Sequence, residues 1–461
     1  MPQASHCGLL CTDGVSHLMA DVALQRYLER HIEADLPPCP TQNPRWDNVL
    51  VIPAYRESAA LLQQLAQLPI DSGRTLVILV LNHPDTDANS NANTALREAV
   101  DKLKPTSELA DERASQTTAA IYTLNQNTEL YLHDMDLRGA LPAAAGVGLA
   151  RKTGCDIALK WIAEGAITGP WICSTDADAD LPAEYFQRLK SIQRHCRAAV
   201  FPFRHEPSGE PMADRATALY ELRLHHYVLG LEYAASPYAY HTLGSALAVR
   251  ATAYAQVRGV PQRAGAEDFY LLNKLAKLGP LAKVPGSCVR LQTRLSDRVP
   301  FGTGPAVQSL IEAADGFTSL HDAALFYHPQ CFEALRCILG AIALLRNTQS
   351  NDLLPLLQHQ GLDGNLANEC VLALEKLGLD DALDHCRRQG KTPAQFLRQF
   401  HQWFDGFKTL KLIHAIRDAG WPNQNLSSLG SCLPSLFPTD SELMPDPNLI
   451  NEHCRTHWGW Q

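Results

Sequence analysis

Three carboxylates at alternate positions, Asp176, Asp178 and Asp180, follow a short apolar run, Trp171-Ile172-Cys173, that stops at Ser174-Thr175. Hard oxygen ligands just past the carboxyl end of a strand suit a divalent cation, and a cation held there suits a diphosphate. An acidic loop can also cap the helix that Pro182 opens, and Asp180 stands where an N-cap would. Asp176 and Asp178 are therefore the candidate ligands, and Asp180 the candidate cap. Other residues of useful chemistry stand at turns. Pro53-Ala54-Tyr55 and the polar turn that opens with Asn82 suit a nucleotide base and ribose, while Arg151 or Lys152 could meet phosphate oxygens.

The elements that must position these residues are legible from periodicity. Residues 48–53 and 75–81 are unbroken apolar runs, as in strands buried on both faces. Leu61, Leu62, Leu65 and Leu68 share one helix face, and a second helix is expected near residues 93–103. Strand alternating with helix predicts an α/β fold with right-handed crossovers and a parallel sheet. Residues 105–118 read as a polar loop, 129–133 as a third strand, and 147–162 as a long helix. Gly146-Val147-Gly148 lacks the third glycine of a dinucleotide fingerprint. After the carboxylate triplet come a helix from Pro182 to about residue 194, a strand at 198–202 and an amphipathic helix at 213–233. A strand entered through a bend at Gly244-Ser245 follows, then a helix opened by Gly265-Ala266-Glu267-Asp268.

Beyond residue 306 strand signals stop and helix-period patterns take over, ending in a proline- and serine-rich stretch, 422–461, expected to wrap the surface. The organisation is thus a leader (1–45) without chemistry, an α/β domain (46–306) and a helical C-terminal domain (307–461). In an open parallel sheet, ligands bind outside the carboxyl ends of the strands. The Tyr55 turn, Asn82, Arg151-Lys152 and the carboxylates all map to that edge.

Bulk properties narrow the function. The 461 residues carry a formal net charge of −9, which argues against a nucleic-acid partner. Hydrophobic content of 46% and charged content of 19% are those of a globular, soluble chain. The apolar segment at 337–345 is far short of the ~20 residues that span a bilayer. The 13 cysteines are scattered, and Cys7/Cys11 make a poor zinc or redox motif, so free thiols in a reducing cytoplasm are expected.

The order Val-Ile-Pro-Ala-Tyr55, Gly-Val-Gly-Leu-Ala-Arg151, Ser-Thr-Asp-Ala-Asp178, Gly-Ser245 and Glu-Asp268 resembles the family 2 nucleotide-sugar glycosyltransferases, which have the GT-A fold. The resemblance covers roughly residues 48–304 and leaves the helical remainder unexplained. It implies a Rossmann-like, mostly parallel sheet flanked by helices. Asp176 and Asp178 would hold Mg²⁺ or Mn²⁺ on a UDP- or GDP-sugar, and Asp268 would be the base that deprotonates a hydroxyl acceptor during inverting hexosyl transfer. Glu267 is the alternative base, and first-turn helix capping is the bland reading of both. Pro53, Ala54, Tyr55, Asn82, Arg151, Lys152, Asp176, Gly244 and Ser245 fall to the nucleotide-sugar. The sequence departs from the family's pattern at Asn82, where an aspartate is common, leaving Asp85 and Asp87 as further base contacts. No histidine occurs between His241 and His321 to complete the metal shell, so Arg294 or Arg298 would face the diphosphate instead. His205 and His241 are candidates for the acceptor side. Two other readings compete: a nucleotidyltransferase, which would carry a glycine- and lysine-rich loop after the first strand, and a catalytically inactive nucleotide-sugar-binding or scaffold protein.

Overall fold

Two unbroken apolar runs lie side by side at the centre of the sheet, and neither has a polar face because both faces are covered. Strands β1 (Asn48–Ala54) and β2 (Thr75–Leu81) pair in parallel with Val51 opposite Ile78. Val49, Val51, Leu76, Ile78 and Val80 face one helical layer, while Leu50, Ile52, Val77, Leu79 and Leu81 face the other. None is more than 1% exposed. This computed structural model describes residues 13–39, 45–69, 73–87, 89, 91–109, 119–293, 302–314, 320–347, 350–429 and 446–461.

The remaining strands are β3 (Pro105–Leu109), β4 (Ala119–Thr123), β5 (Thr128–Asp134), β6 (Trp171–Ser174), β7 (Ala179–Asp180), β8 (Ala198–Val200), β9 (Phe203–Glu206), β10 (Leu247–Arg250), β11 (Leu281–Lys283) and β12 (Val289–Gln292). Nine of them form one sheet in the order β11-β8-β10-β6-β1-β2-β5-β4-β3, and β7-β12-β9 form a small second sheet. The large sheet is parallel through β6, β1, β2 and β5 and antiparallel around β10 and along β3-β4-β5.

Several expectations change here. Part of the stretch read as a polar loop is strand, since residues 105–109 and 119–123 pair as β3 and β4; residues 110–118 lie outside the described residues. An edge hairpin needs few apolar residues, so its strands leave little periodic signal. Asp180 does not cap a helix. It sits in β7 opposite Arg290 of β12, and the next helix starts only at Tyr185. The strand expected after the Gly244-Ser245 bend is short, running from Leu247 to Arg250.

Helices α1 (Asp13–Arg30), α2 (Ala60–Leu65), α3 (Thr94–Asp101), α4 (Gly146–Ala163), α5 (Tyr185–Lys190), α6 (Pro211–Tyr233), α7 (Ala251–Gln256), α8 (Glu267–Leu278) and α9 (Thr303–Glu312) are interleaved with the strands. Helix α4 crosses β1 and β2 closely: a Cβ on Gly154 would lie 2.5 Å from Val51 Cγ1 and 2.9 Å from Val80 Cγ2. From α9 onward the described chain is helical apart from one two-residue strand pair. Its helices share a core with α6, where Gly230 leaves room for the Phe332 ring. The last described stretch does more than wrap the surface: Pro447–His457 is a helix with Ile450 and Cys454 1% exposed.

Gly146 and Gly148 serve backbone approach. Gly148 N donates to Arg263 O at 3.1 Å, and a Cβ on Gly148 would lie 2.6 Å from Arg263 N, Arg263 O and Pro261 O. The loop leading into α8 thus rests on the first turn of α4. Gly148→Ala should push that loop away and lower stability by about 1–3 kcal/mol, the usual range for overpacking. A shifted urea midpoint measures it, and an unchanged midpoint would contradict the contact.

Candidate functional site

A buried arginine gathers the site. Arg151 lies one turn into α4, and its side chain is 3% exposed. A guanidinium out of water needs acceptors for its fork of donors, and here four segments supply them. Arg151 Nη1 donates to Ser174 Oγ (2.5 Å) and Gly244 O (3.2 Å), Nη2 to Asp176 Oδ1 (2.7 Å), and Nε to Glu267 Oε1 (3.1 Å). Each acceptor reaches this point for a local reason. Ser174 and Asp176 lie at and just past the carboxyl end of β6. Because β10 runs antiparallel to β6, with Leu247 opposite Ser174, it is the entrance of β10 that arrives at this edge. Gly244 has no Cβ, which would lie 2.7 Å from Arg151 Nη2. Thr175 Oγ1 donates to Ser245 O at 2.8 Å and closes the same seam.

Glu267 and Asp268 open α8, and Ala266 before them is held in left-handed backbone at φ 58°. A non-glycine residue in that region costs about 1 kcal/mol or more and is retained where the surroundings demand the turn. The two acids part ways at once. Glu267 is buried against Arg151, so it is a partner of the arginine and poorly placed as the base. Asp268 is only partly buried. Its Oδ1 accepts the N–H of Phe269 at 2.7 Å, and Oδ2 makes no hydrogen bond among the described residues. Burial, then the adjacent charge of Glu267, push the Asp268 carboxyl up to about 7. A carboxylate poised there can exchange a proton near neutrality.

Asp176 is the more open acid, with its side chain 40% exposed, and only one of its oxygens is taken by Arg151. Asp178 is two residues further on in the same loop. Two carboxylates of this kind fit Mg²⁺ or Mn²⁺, which take the rest of their shell from waters and phosphate oxygens. No group of three His, Cys, Asp or Glu among the described residues is arranged to hold a metal by itself.

On the far side of β1, Tyr55 OH donates to Asp87 Oδ2 at 2.7 Å, and Arg56 pairs with the same oxygen at 3.1 Å. The bond from Tyr55, before the other contacts, holds the Asp87 carboxyl below its ordinary value. Asn82 is turned inward: its amide donates to Ala54 O at 3.2 Å and Val80 O at 3.4 Å. Asp85 accepts from Ala143 N. Asp87 with Tyr55 is therefore the pair that this edge presents, and Asn82 splices β1 to β2. Pro53 and Ala54 end β1 beside them.

The structure does not bring Lys152 to this edge. One residue on from Arg151, it points round the helix to Asp156 (2.5 Å) and Glu33 (2.9 Å). Asp156 also takes the hydroxyls of Tyr27 and Tyr254 at 2.6 and 2.7 Å, which pins α1 to α4 and α7. Arg294 and Arg298 lie outside the described residues.

Further groups lie beyond Asp268, among them the acceptor-side candidates His205 and His241. Tyr220, on the amphipathic helix and not singled out by sequence, has a phenol raised by burial and, in smaller part, by the charge of Asp268. Beside it, His205 bonds Glu221 at 2.8 Å through Nδ1 and faces Thr303 Oγ1 at 3.3 Å through Nε2. His241 sits with His225, whose Nδ1 is 3.1 Å from His241 Nε2. A helical spacing cannot reveal that Tyr220 stands near Asp268 or that Glu221 holds His205, because α6 is buried nearly all round.

No family model and no curated protein matches this chain. Among solved structures, the mannosyltransferase PcManGT from Pyrobaculum calidifontis, in complex with GDP-Man and Mn²⁺, is 17% identical. The match covers 88% of this chain and 95% of that one, with a TM-score of 0.33. An overlap that loose transfers no residue. No helix among the described residues is long and apolar enough to cross a membrane.

The raised Asp268 carboxyl has a stability consequence. Its folded value, about 7, lies above the unfolded value, so its contribution is fully present below about pH 4 and lost as pH rises through 7. Asp268→Asn should therefore be more stable than the parent at pH 8, by on the order of 1–3 kcal/mol, with the gap shrinking toward pH 4. Urea unfolding at both pH values tests the sign, and a gap independent of pH would refute the shift.

Proposed function

We propose that this chain is a metal-dependent glycosyltransferase of the GT-A type that moves a hexosyl group from a UDP- or GDP-sugar to a hydroxyl acceptor with inversion. The observation that carries the reading is the Arg151 tether, which gathers Asp176 and the Glu267-Asp268 pair at the carboxyl edge of the sheet. The motif order in the sequence supports it independently.

In this reading Asp176 and Asp178 hold Mg²⁺ or Mn²⁺, which supplies neutralisation of the charge on the departing nucleoside diphosphate. Tyr55 offers a ring face to the base, and Asp87 offers an acceptor to a base N–H. Arg151 is chiefly a positioning residue, since four of its five N–H donors are taken by protein oxygens, leaving one Nη2–H for a phosphate oxygen. Asp268 takes the acceptor hydroxyl's proton with its open Oδ2 as that oxygen attacks the anomeric carbon. The acceptor approaches past Tyr220, Thr303 and His205, which stand on the Asp268 side. Burial raises the Asp268 carboxyl toward neutrality and so makes it a stronger base than an exposed aspartate.

Purified protein with Mn²⁺ should release nucleoside diphosphate from one member of a UDP- and GDP-sugar panel. Asp178→Ala should abolish Mn²⁺-dependent nucleotide binding. Asp268→Asn should keep that binding and lose about 10²–10⁴-fold in turnover, the range for a general base. Neither binding nor release across the panel would end the enzyme reading, and equal loss of binding in both variants would end the division of roles.

A further inference from the structure

Away from the carboxylate edge, the chain's last residues build a cavity that the transfer reading does not use. Gly286 N donates to Gly459 O, Gln461 N to Gly286 O and Cys288 N to Gln461 O, at 2.8–2.9 Å. Gly459, at φ 69°, makes the turn that this docking requires. The result places the rings of Trp458 and Trp460 5.0 Å apart and 38° from parallel, against His241 at 4.8 and 5.1 Å. With Tyr240, Glu232 and Lys283 they line a cavity of about 80 Å³.

The polar groups in this wall are unusually idle. Tyr240 and His241 are 8% and 5% exposed. The Tyr240 hydroxyl makes no hydrogen bond among the described residues, and neither does His241 Nδ1. Trp460 Nε1 is likewise without a partner there. None of the three is among the fully buried atoms without a partner, so each is open to the cavity.

Their chemistry can be read further. His225 Nε2 lies 3.4 Å from Glu221 Oε1. His225 Nδ1 and His241 Nε2 share one proton across 3.1 Å, and the second His241 nitrogen, Nδ1, takes the complementary role. Burial keeps His241 neutral by lowering its pKa well below the ordinary value. Glu232 provides an acceptor. It is fixed by Trp458 Nε1 at 3.0 Å and Lys283 Nζ at 2.6 Å, and the Lys283 charge disfavours a cationic guest. A carboxylate acceptor, a phenol, an indole N–H and an imidazole nitrogen beside two indole rings suit a ring with an apolar face and hydroxyls on its rim.

We propose that this cavity is a second, non-catalytic binding site for one pyranose ring, stacked on Trp458 and Trp460 and hydrogen-bonded through Tyr240, His241 and Glu232. Its volume holds two or three waters at about 30 Å³ each, so the sugar enters edge first and keeps its remaining hydroxyls outside. The site shares no lining residue with the carboxylate edge and does not depend on the transfer reading.

Tryptophan emission titrated with methyl α-mannopyranoside, methyl β-glucopyranoside and methyl β-galactopyranoside tests it, with p-cresol and indole as aromatic controls. At least one pyranoside should give a saturable change. Tyr240→Phe and Glu232→Gln, which keep the packing, should each weaken it roughly three- to tenfold, the worth of one neutral hydrogen bond. Asp176→Ala should leave it unaltered. Three results would overturn the proposal: flat titrations with every pyranoside, a response to the aromatic controls alone, or a pyranoside response that Asp176→Ala abolishes while both cavity variants keep parental affinity.

Discussion

A single guanidinium removed from water sets the geometry of this sheet edge. Arg151 cannot give up its proton, so its burial is tolerable only if oxygens surround it. Those oxygens come from the end of β6, from the loop after it, from the bend before β10 and from the first residue of α8. None of the four is held there by local sequence alone. Removing any one would leave a buried N–H of a charged group without its acceptor, which costs about 1–3 kcal/mol or more. That constraint explains the glycines around it. Gly244 must lack a side chain so that the guanidinium can reach its carbonyl, and Gly148 must lack one so that the loop into α8 can settle on α4.

The same arginine divides three carboxylates unequally. Glu267 and Asp176 each bond it directly, whereas Asp268 feels its charge without touching it. Burial first, and then the charge of Glu267 beside it, act on Asp268, which has no direct bond to the guanidinium. Adjacent residues of identical charge thereby acquire different chemistry: Glu267 is fixed as an ion-pair partner and Asp268 is pushed toward neutrality. Nothing in the dipeptide Glu-Asp reveals which is which. The choice follows from the left-handed turn at Ala266, which sets the direction in which each side chain leaves the helix.

How far the sequence could be read follows from these facts. Residues 48–53 and 75–81 were legible because strands buried on both faces must be continuously apolar, and α4 because it is long. The site's carboxylates were legible as types at strand ends. The partners that orient them were not, since Ser174, Gly244 and Arg151 meet only through an antiparallel β10 that interrupts the parallel pattern. Lys152 illustrates the limit: beside Arg151 in sequence, it lies about 100° round the helix and belongs to the Asp156 cluster that pins α1. Asp180 fails as a cap because a two-residue strand has no periodicity to detect. Asn82 was read as a ligand because polar residues at strand ends often are, and the sequence could not show that its amide N–H groups are spent on the carbonyls of its own sheet.

The helical region is bound to the site-bearing region through α6, which belongs to both. Its Leu219, Leu222 and Leu229 lie in the helical core, while Glu221, on the opposite side, is 2% exposed. Glu221 Oε2 accepts both the ring and the backbone N–H of His205 on β9, and Oε1 takes Arg455 from the helix near the chain's end. Burial alone would raise this acid; the histidines around it prevail and hold it far below its ordinary value, so it stays charged. A buried anion of that kind needs all its donors at once. β9, α6 and Pro447–His457 must therefore assemble together, and the position of His205 beside Thr303 depends on residues some 250 places later in the chain.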